Sequence, residues 1–443
     1  MAQRATWNIF IAWSGVAFLL QPSATATLLS WVLLIIFSVL ILIRLLLVMV
    51  GAGARFLFPP DRVVRNSDAD CPTFTIMVAA YREERMMSQL AKALCEISWP
   101  ADKIEFLILF ETDDPGTFEA AKTAHFPPST RLIQVPPGGP KTKPNALNYG
   151  LTMARGEFLT IYDVEDQPHP DQLHAVWNVL RHAPSNVVCV QAPLVARNAD
   201  ASWISAHWGL EYGVQFGLLV PGLSIYRMPI PLGGTSNHVR REAVLALGGW
   251  DAWNVTEDAD LGMRMARAGL ITESVRTPTF EAAPTRFGVW RAQRSRWLKG
   301  FLQTWLVLMR DPIKTFRQLG AVRFLLMQTS LGGTVLTSLA HAPFSALVAF
   351  SFWSGELEVG RAGLVLLIAG LLVGLISDVL APGKWSGMRV IAIATRPLYW
   401  PLHSLAAYHA VWELANKPFF WAKTPHRPNQ AERCPSYSTG SSA

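Results

Sequence analysis

Charge is scarce in this 443-residue chain. Asp, Glu, Lys and Arg make up 16% of it, against 51% hydrophobic residues. Average soluble domains carry about 25% charged residues, so the deficit points to lipid. Cysteine is scarcer still. Cys71, Cys95, Cys189 and Cys434 stand far apart and form no Cys-x-x-Cys pair. Neither a zinc site nor a disulfide framework is implied, and reduced thiols are expected. Runs of Lys and Arg are missing too. The formal net charge is +7, but without a basic stripe it does not indicate nucleic acid as a partner. Enrichment of Lys and Arg in cytoplasmic loops explains the balance more simply. No internal repeat is evident.

What is present is segregated. Ile9–Leu20 and Leu28–Val50 are hydrophobic, and the second is interrupted only by Arg44. About 20 apolar residues cross a bilayer. The first stretch has features of a signal peptide, with Arg4 ahead of it and Ala24-Thr25-Ala26 after it. A hairpin of two spans, turning through Gln21–Thr27 within residues 1–52, leaves no Lys or Arg outside and is preferred.

Residues 61–298 are polar. Within them Phe74–Ala80, Ile104–Phe110, Arg131–Val135 and Gly156–Tyr162 read as strands alternating with helical stretches. That pattern predicts a mixed, mostly parallel α/β sheet with helices on both faces. Ligands bind such sheets at the carboxyl ends of the strands. Residues 299–320 are expected to form an interfacial amphipathic helix. Residues 321–416 are expected to make about four crossings, with breaks at His341–Pro343 and Arg396-Pro397. Residues 417–443 form a polar tail, Ser-rich in its last dozen residues.

Five constellations carry chemistry. Glu111-Thr-Asp113-Asp114-Pro-Gly116 ends a strand. It suits an ordinary turn, but also a nucleobase or ribose. Lys141-Thr-Lys143-Pro-Asn-Ala-Leu-Asn148 offers lysines to a diphosphate or to solvent. Asp163-Val-Glu165-Asp166 ends a buried strand with hard oxygen donors of the kind that hold Mg²⁺ or Mn²⁺. Thr256-Glu257-Asp258-Ala-Asp260 is good helix-start chemistry, and a carboxylate held there can still act as a base. Gln293-Arg294-Ser-Arg296-Trp297 combines cations for phosphate with an indole face for a sugar ring, or sits at headgroup level. His207 and His238 lack acidic or metal-ligand spacing around them and read as structural.

In this order, with membrane spans following, the motifs resemble the processive family-2 glycosyltransferases, such as cellulose, chitin and hyaluronan synthases. The resemblance covers roughly residues 73–317. Gln-x-x-Arg-Trp after Thr-Glu-Asp is its specific part. It implies a GT-A fold and inverting transfer of a hexose, glucose favoured, from a UDP-sugar. The acceptor would be a growing polysaccharide or oligosaccharide, and the setting an inner membrane with a cytoplasmic catalytic domain. By that resemblance, Asp113 or Asp114 contacts the uridine and Lys143 the donor phosphates. Asp163 and Glu165 bind the metal, with Asp166 as the substitute for Glu165, since Glu165 stands where a second Asp is common. Asp258 is the general base, with Glu257 beside the acceptor. Gln293, Arg294 and Arg296 hold diphosphate and acceptor, and Trp297 faces the acceptor sugar. Gly234 and Thr235, within Gly233-Gly-Thr-Ser-Asn237, line the acceptor end, although the family more often has Cys-Gly-Ser there. Membrane lipid and an export protein are the expected partners. Two rivals stand: single-sugar transfer to a lipid carrier, whose enzymes generally lack Gln-x-x-Arg-Trp, and an inactive membrane receptor on the same fold.

Overall fold

In the computed structural model, residues 22–57, 63–355 and 357–420 are described. The stretch Ile9–Leu20 lies outside them. Helix α1 covers Pro22–Leu57. Residues 22–27 are therefore helical and not the turn of a hairpin. Proline is favoured in a first helical turn, where its missing N–H costs nothing.

The strands are β1 (Phe74–Ala80), β2 (Ile104–Glu111), β3 (Thr130–Val135) and β4 (Phe158–Tyr162), followed by the short β5 (Gln167–Pro168), β6 (Val187–Gln191), β7 (Leu194–Ala196), β8 (Asn237–Arg240), β9 (Ile271–Ser274) and β10 (Thr279–Glu281). Seven of them form one sheet in the order β3-β2-β1-β4-β8-β6-β9, and a small second sheet runs β5-β10-β7. Within the seven-stranded sheet only β8 runs against its neighbours, β4 and β6, and in the small sheet β5 runs against β10. The mixed, mostly parallel sheet is thus as expected.

Both faces of this sheet are covered, which is why its strands read as unbroken apolar runs. Met77, Leu107 and Ile161 face one layer of helices, α4 (Lys143–Met153) and α9 (Glu257–Arg267) among them. Ile76, Ile108 and Tyr162 face the other, which includes α2 (Met87–Cys95), α3 (Pro115–Thr123) and α5 (Gln172–Leu180). From β1 the chain moves outward through β2 and β3, then returns to β4 on the other side. The crevice at that switch point is where a ligand can enter.

Beyond α6 (Trp203–Val214) the helix loosens into one π turn, Gln215–Leu219, and continues as α7 (Val220–Ile225). This π turn packs on α1. At Gly51 the two backbones nearly touch, and a Cβ would lie 2.1 Å from the Leu218 carbonyl oxygen. The first long apolar helix is thereby fixed against the segment that follows β7.

After α8 (Arg241–Ala246) and α9 comes α10 (Phe287–Leu308), which contains the whole of Gln293–Trp297. The expected interfacial helix over 299–320 is therefore corrected. Lys299 is buried and paired with Glu413 at 2.9 Å. The chain breaks after α10 and restarts as α11 (Pro312–Gln328), with Asp311 capping it by accepting from Lys314 N at 3.0 Å. Next come a π turn at Thr329–Gly333, α12 (Thr334–Ser354), α13 (Leu357–Leu380), α14 (Gly387–Ala394) and α15 (Arg396–Asn416).

Among the described residues three segments are long and apolar enough to cross a membrane: Ser30–Leu57, Pro312–Ser354 and Arg361–Leu380. Two of these segments extend beyond residue 321, where about four crossings are expected, and two features of the structure bear on that difference. Pro343 does not break α12, because the carbonyl it leaves without a helical donor, that of Leu339, accepts from Tyr408 Oη at 2.9 Å. The stretch Val390–Val411 is divided at Thr395 between α14 and α15 and carries the buried Arg396. Helix α15 packs along α10 and α12. Replacing Gly51 with Val should loosen the seam with Leu218 and cost about 1–3 kcal/mol, the usual cost of overpacking. Thermal unfolding in detergent should show a midpoint several degrees lower; an unchanged midpoint would contradict this packing.

Candidate active site

The ends of β2 and β4, the start of α9 and one face of α10 meet around a cavity of about 720 Å³. Glu111, Lys143, Asp163, Glu165, Glu257 and Asp258 all line it, so the acid clusters, far apart in sequence, converge.

Asp163 follows β4 directly. Its backbone N–H donates to Asp166 Oδ2 at 2.7 Å, which curls the Asp-Val-Glu-Asp turn. The Thr235 hydroxyl also donates to Asp166, and Asp166 Oδ1 is buried with no hydrogen-bond partner. Burial, and then the charge of Asp163, pushes the Asp166 carboxyl far above its ordinary value. Asp163 itself pairs with Lys143, whose Nζ also donates to the Gly234 carbonyl at 2.6 Å. Burial opposes the charge of Lys143, but Asp163 and then Glu257 outweigh it and raise its pKa. Lys143 is thus the cation that holds the two acid clusters together.

Glu257 and Asp258 open α9. Burial raises both, and Glu257 is raised further by the neighbouring Asp258 charge. Asp258 is pushed up to about 6, opposed by a hydrogen bond from Ala259 N at 2.8 Å and by Lys143 and Arg296. A Cβ at Gly234 would stand 3.3 Å from Asp258 Oδ2, so the backbone of Gly234 forms one wall of the pocket around this carboxylate.

Helix α10 explains the Gln-x-x-Arg-Trp spacing. Gln293, Arg296 and Trp297 lie at i, i+3 and i+4, hence on one face, and all three line the cavity. Gln293 Oε1 is buried there without a hydrogen-bond partner. Arg296 faces the acids; burial lowers its pKa while Glu257, Asp258 and Asp163 act against that. Trp297 stacks near Tyr212 at 6.3 Å and tilts against Trp208 at 4.9 Å. Arg294 also lines the cavity but is turned toward Glu211 rather than toward these acids. It pairs with Glu211 and sits 5.0 Å from the Trp297 ring and 5.1 Å from the Trp208 ring.

The first acid cluster divides. Asp113 is solvent-facing, pairs with Lys141 and lies 3.5 Å from the Tyr81 hydroxyl; the hydrogen bond from Lys141 lowers its pKa. Asp114 is buried and caps α3, accepting from Thr117 N at 3.3 Å and from Arg82 N. Arg82 has a left-handed backbone, φ 55°, and the Asp114 bond helps to hold it there. Thr235 serves Asp166 and is tied into the sheet rather than presented to the cavity as a free hydroxyl.

Two site acids were not singled out from sequence. Glu111, raised by burial and then by Asp113, lines the cavity at the end of β2. Glu281 ends β10 and is raised well above its ordinary value by burial and then by Glu165 and Asp166. A strand-end acid was the available signal for Glu111. Glu281 carries no such signal, because β10 is three residues long. His238 is buried between Thr160 and Gln172, and His207 stacks on Tyr399 at 4.0 Å. Burial brings both to about 3, so they are neutral structural groups.

The donor set suits a divalent cation in part. Asp163, Glu165, Asp166 and Glu281 supply hard oxygens that repel one another, and Asp166 Oδ1 lacks a hydrogen-bond partner. Among the described residues no three acids or histidines form a ready-made metal cluster. Ligands from a bound diphosphate would be needed to complete one.

Comparison with known proteins gives the family. The profile "Glycosyl transferase family group 2" matches residues 158–377, and "Glycosyl transferase family 2" matches residues 75–225. The chain belongs to the family-2 glycosyltransferases. This family-2 enzyme is 25% identical over 323 residues to the beta-monoglucosyldiacylglycerol synthase of Synechocystis sp., covering 67% of the chain and 64% of that protein. It is 26% identical over 246 residues to the cellulose synthase catalytic subunit of Komagataeibacter sucrofermentans, covering 54% of the chain and 32% of that protein. The chain thus spans less than two thirds of these curated relatives. Among solved structures it is similar to the mannosyltransferase PcManGT from Pyrobaculum calidifontis, solved in complex with GDP-Man and Mn²⁺. The TM-score is 0.48 at 21% identity, over 77% of this chain and 99% of that one.

A raised Asp258 sets the sign of a pH effect. As pH falls through about 6 the carboxylate takes up a proton and can no longer accept one. The acid limb of turnover against pH should therefore have its midpoint near 6. A limb at the ordinary aspartate value of 3.8 would contradict the burial assigned to this group.

Proposed function

We propose that the chain is a membrane-embedded, inverting hexosyltransferase. It moves a hexose, glucose favoured, from a UDP-sugar to a hydroxyl of a growing polysaccharide held at the membrane. The observation that carries this reading is the single cavity shared by Lys143, Asp258 and the Gln293–Arg296–Trp297 face, which continues between α1, α12 and α13.

Asp258 is the general base. It takes the proton from the acceptor hydroxyl as the new bond forms between the acceptor oxygen and the anomeric carbon. The anomeric carbon–phosphate oxygen bond breaks on the opposite face, and the electron pair leaves on the diphosphate. Lys143 and Arg296 are fixed cations on the cavity wall where that charge develops. Lys143 must exchange Asp163 for phosphate when the donor binds. A divalent cation, Mg²⁺ or Mn²⁺, held by Asp163 and Glu165 with Asp166 alongside, would neutralise the departing diphosphate. Asp113, together with Tyr81 and Glu111, frames the nucleoside end. Asp114 acts there by holding the loop after β1. Gln293 and Trp297 receive the acceptor, with Gly234 and Glu257 beside it, and Arg294 braces the same helix from behind.

A second reading, single transfer to a lipid carrier, is favoured by the aliphatic membrane half of the cavity, where Leu40, Ile41 and Leu366 form the wall. The test is a panel of radiolabelled UDP-sugars given to purified full-length protein with Mg²⁺ or Mn²⁺, followed by product sizing. A long product from one donor is expected, falling about 10²–10⁴-fold on Asp258→Asn. A product that stops after one sugar supports the lipid reading, and no turnover with any donor would contradict sugar transfer.

A further inference from the structure

Arg44 stands at the middle of the 28-residue apolar segment Ser30–Leu57 and lines the cavity. A cation at that depth is costly and normally pairs with an acid. The acids it faces are Asp378 and Glu211, but it also faces the Arg396 guanidinium. Both acids are already taken. Asp378 accepts from Arg396 Nε at 2.7 Å and from Arg396 Nη2. Glu211 accepts from Arg294, from Tyr399 Oη at 3.1 Å, and lies 3.0 Å from His403 Nε2. Among the described residues no carboxylate is within ion-pair distance of Arg44. With Arg389, whose guanidinium also acts on Asp378 and donates to backbone carbonyls, the group holds four guanidinium cations against two carboxylates, and Arg44 is in ion-pair distance of neither.

The surrounding wall indicates what supplies the missing anion. Leu40, Ile41 and Leu47 of α1, Phe344 of α12, and Leu366 and Leu367 of α13 suit an acyl chain and offer a sugar no hydrogen bonds, while Gln215, His341 and Trp400 add polar groups to the lining. The hydroxyls that α12 contributes are spent on its own carbonyls: Thr337 donates to Gly333 at 2.7 Å and Ser338 to Thr334 at 2.8 Å. We propose that the membrane half of the cavity binds an anionic lipid, with the lipid phosphate on Arg44 and its chains against α1, α12 and α13. The lipid headgroup then points along the cavity toward Asp258, which makes this the anchoring site of the acceptor. The inference rests on the reading that this cavity holds the acceptor. Export of a long glycan would then need a path other than this half of the cavity.

The test uses the full chain in detergent, titrated with dioleoylphosphatidylglycerol, dioleoylphosphatidylcholine or inorganic phosphate, with bound lipid counted by native mass spectrometry. The protein should bind the anionic lipid about tenfold or more tightly than the zwitterionic one, the range of a charge-assisted hydrogen bond. Arg44→Gln should lose that preference and Arg44→Lys should keep part of it, with UDP binding unchanged in both. A preference that survives Arg44→Gln would overturn the proposal. So would displacement of the lipid by millimolar inorganic phosphate, which would mark a free-phosphate site. Failure of the unaltered protein to bind UDP would instead count against the sugar-transfer reading, while the lipid titration would still decide the proposal.

Discussion

The repulsion among buried carboxylates governs this structure. Asp163, Glu165 and Asp166 from the turn after β4, Glu257 and Asp258 from the start of α9, and Glu281 from the end of β10 are brought together at one crevice. Left alone, such groups would take up protons or separate. Here Lys143 and Arg296 are set between them, and Asp258 gains the first N–H groups of α9. Burial raises the pKa values of Asp166, Glu257, Asp258 and Glu281, and neighbouring carboxylates raise those of Asp166, Glu257 and Glu281 further. That repulsion is what a cationic or proton-donating partner would relieve, and perturbed acids in a cleft mark functional sites.

A second charge set lies against the long apolar helices. Glu211, Arg294, Asp378 and Arg396 join α6 and α10 of the catalytic domain to α13 and α15. Buried pairs of this kind add little net stability but punish any arrangement that separates them. They therefore fix the geometry between the acid-lined crevice and the long apolar helices, so that one cavity runs along both. The contacts of Trp290 with Tyr399 and of Ser295 with Ala406 run along the same seam.

Much of this was legible in sequence because it depends on local rules. Strands buried on both faces gave continuous apolar runs, and Phe74–Ala80 was read to the residue. Acids at strand ends pointed to the crevice, and the spacing of Gln293, Arg296 and Trp297 suits one helical face. What sequence could not show depends on long-range partners. Whether Pro343 breaks a helix is decided by Tyr408, 65 positions further on in another helix. Arg294 carries the same chemistry as Arg296, and only the position of Glu211 separates their roles. Glu281 joins the site through a three-residue strand whose register no local pattern encodes.

The account stands or falls on Asp258 acting in chemistry rather than in donor binding. The direct measurement is calorimetric titration of UDP into the unaltered protein and into Asp258→Asn, paired with turnover of each in the same preparation. UDP affinity should agree within about threefold while turnover falls by about two orders of magnitude or more, as for loss of a general base. Loss of UDP affinity and turnover in parallel, or turnover that survives the substitution, would contradict it.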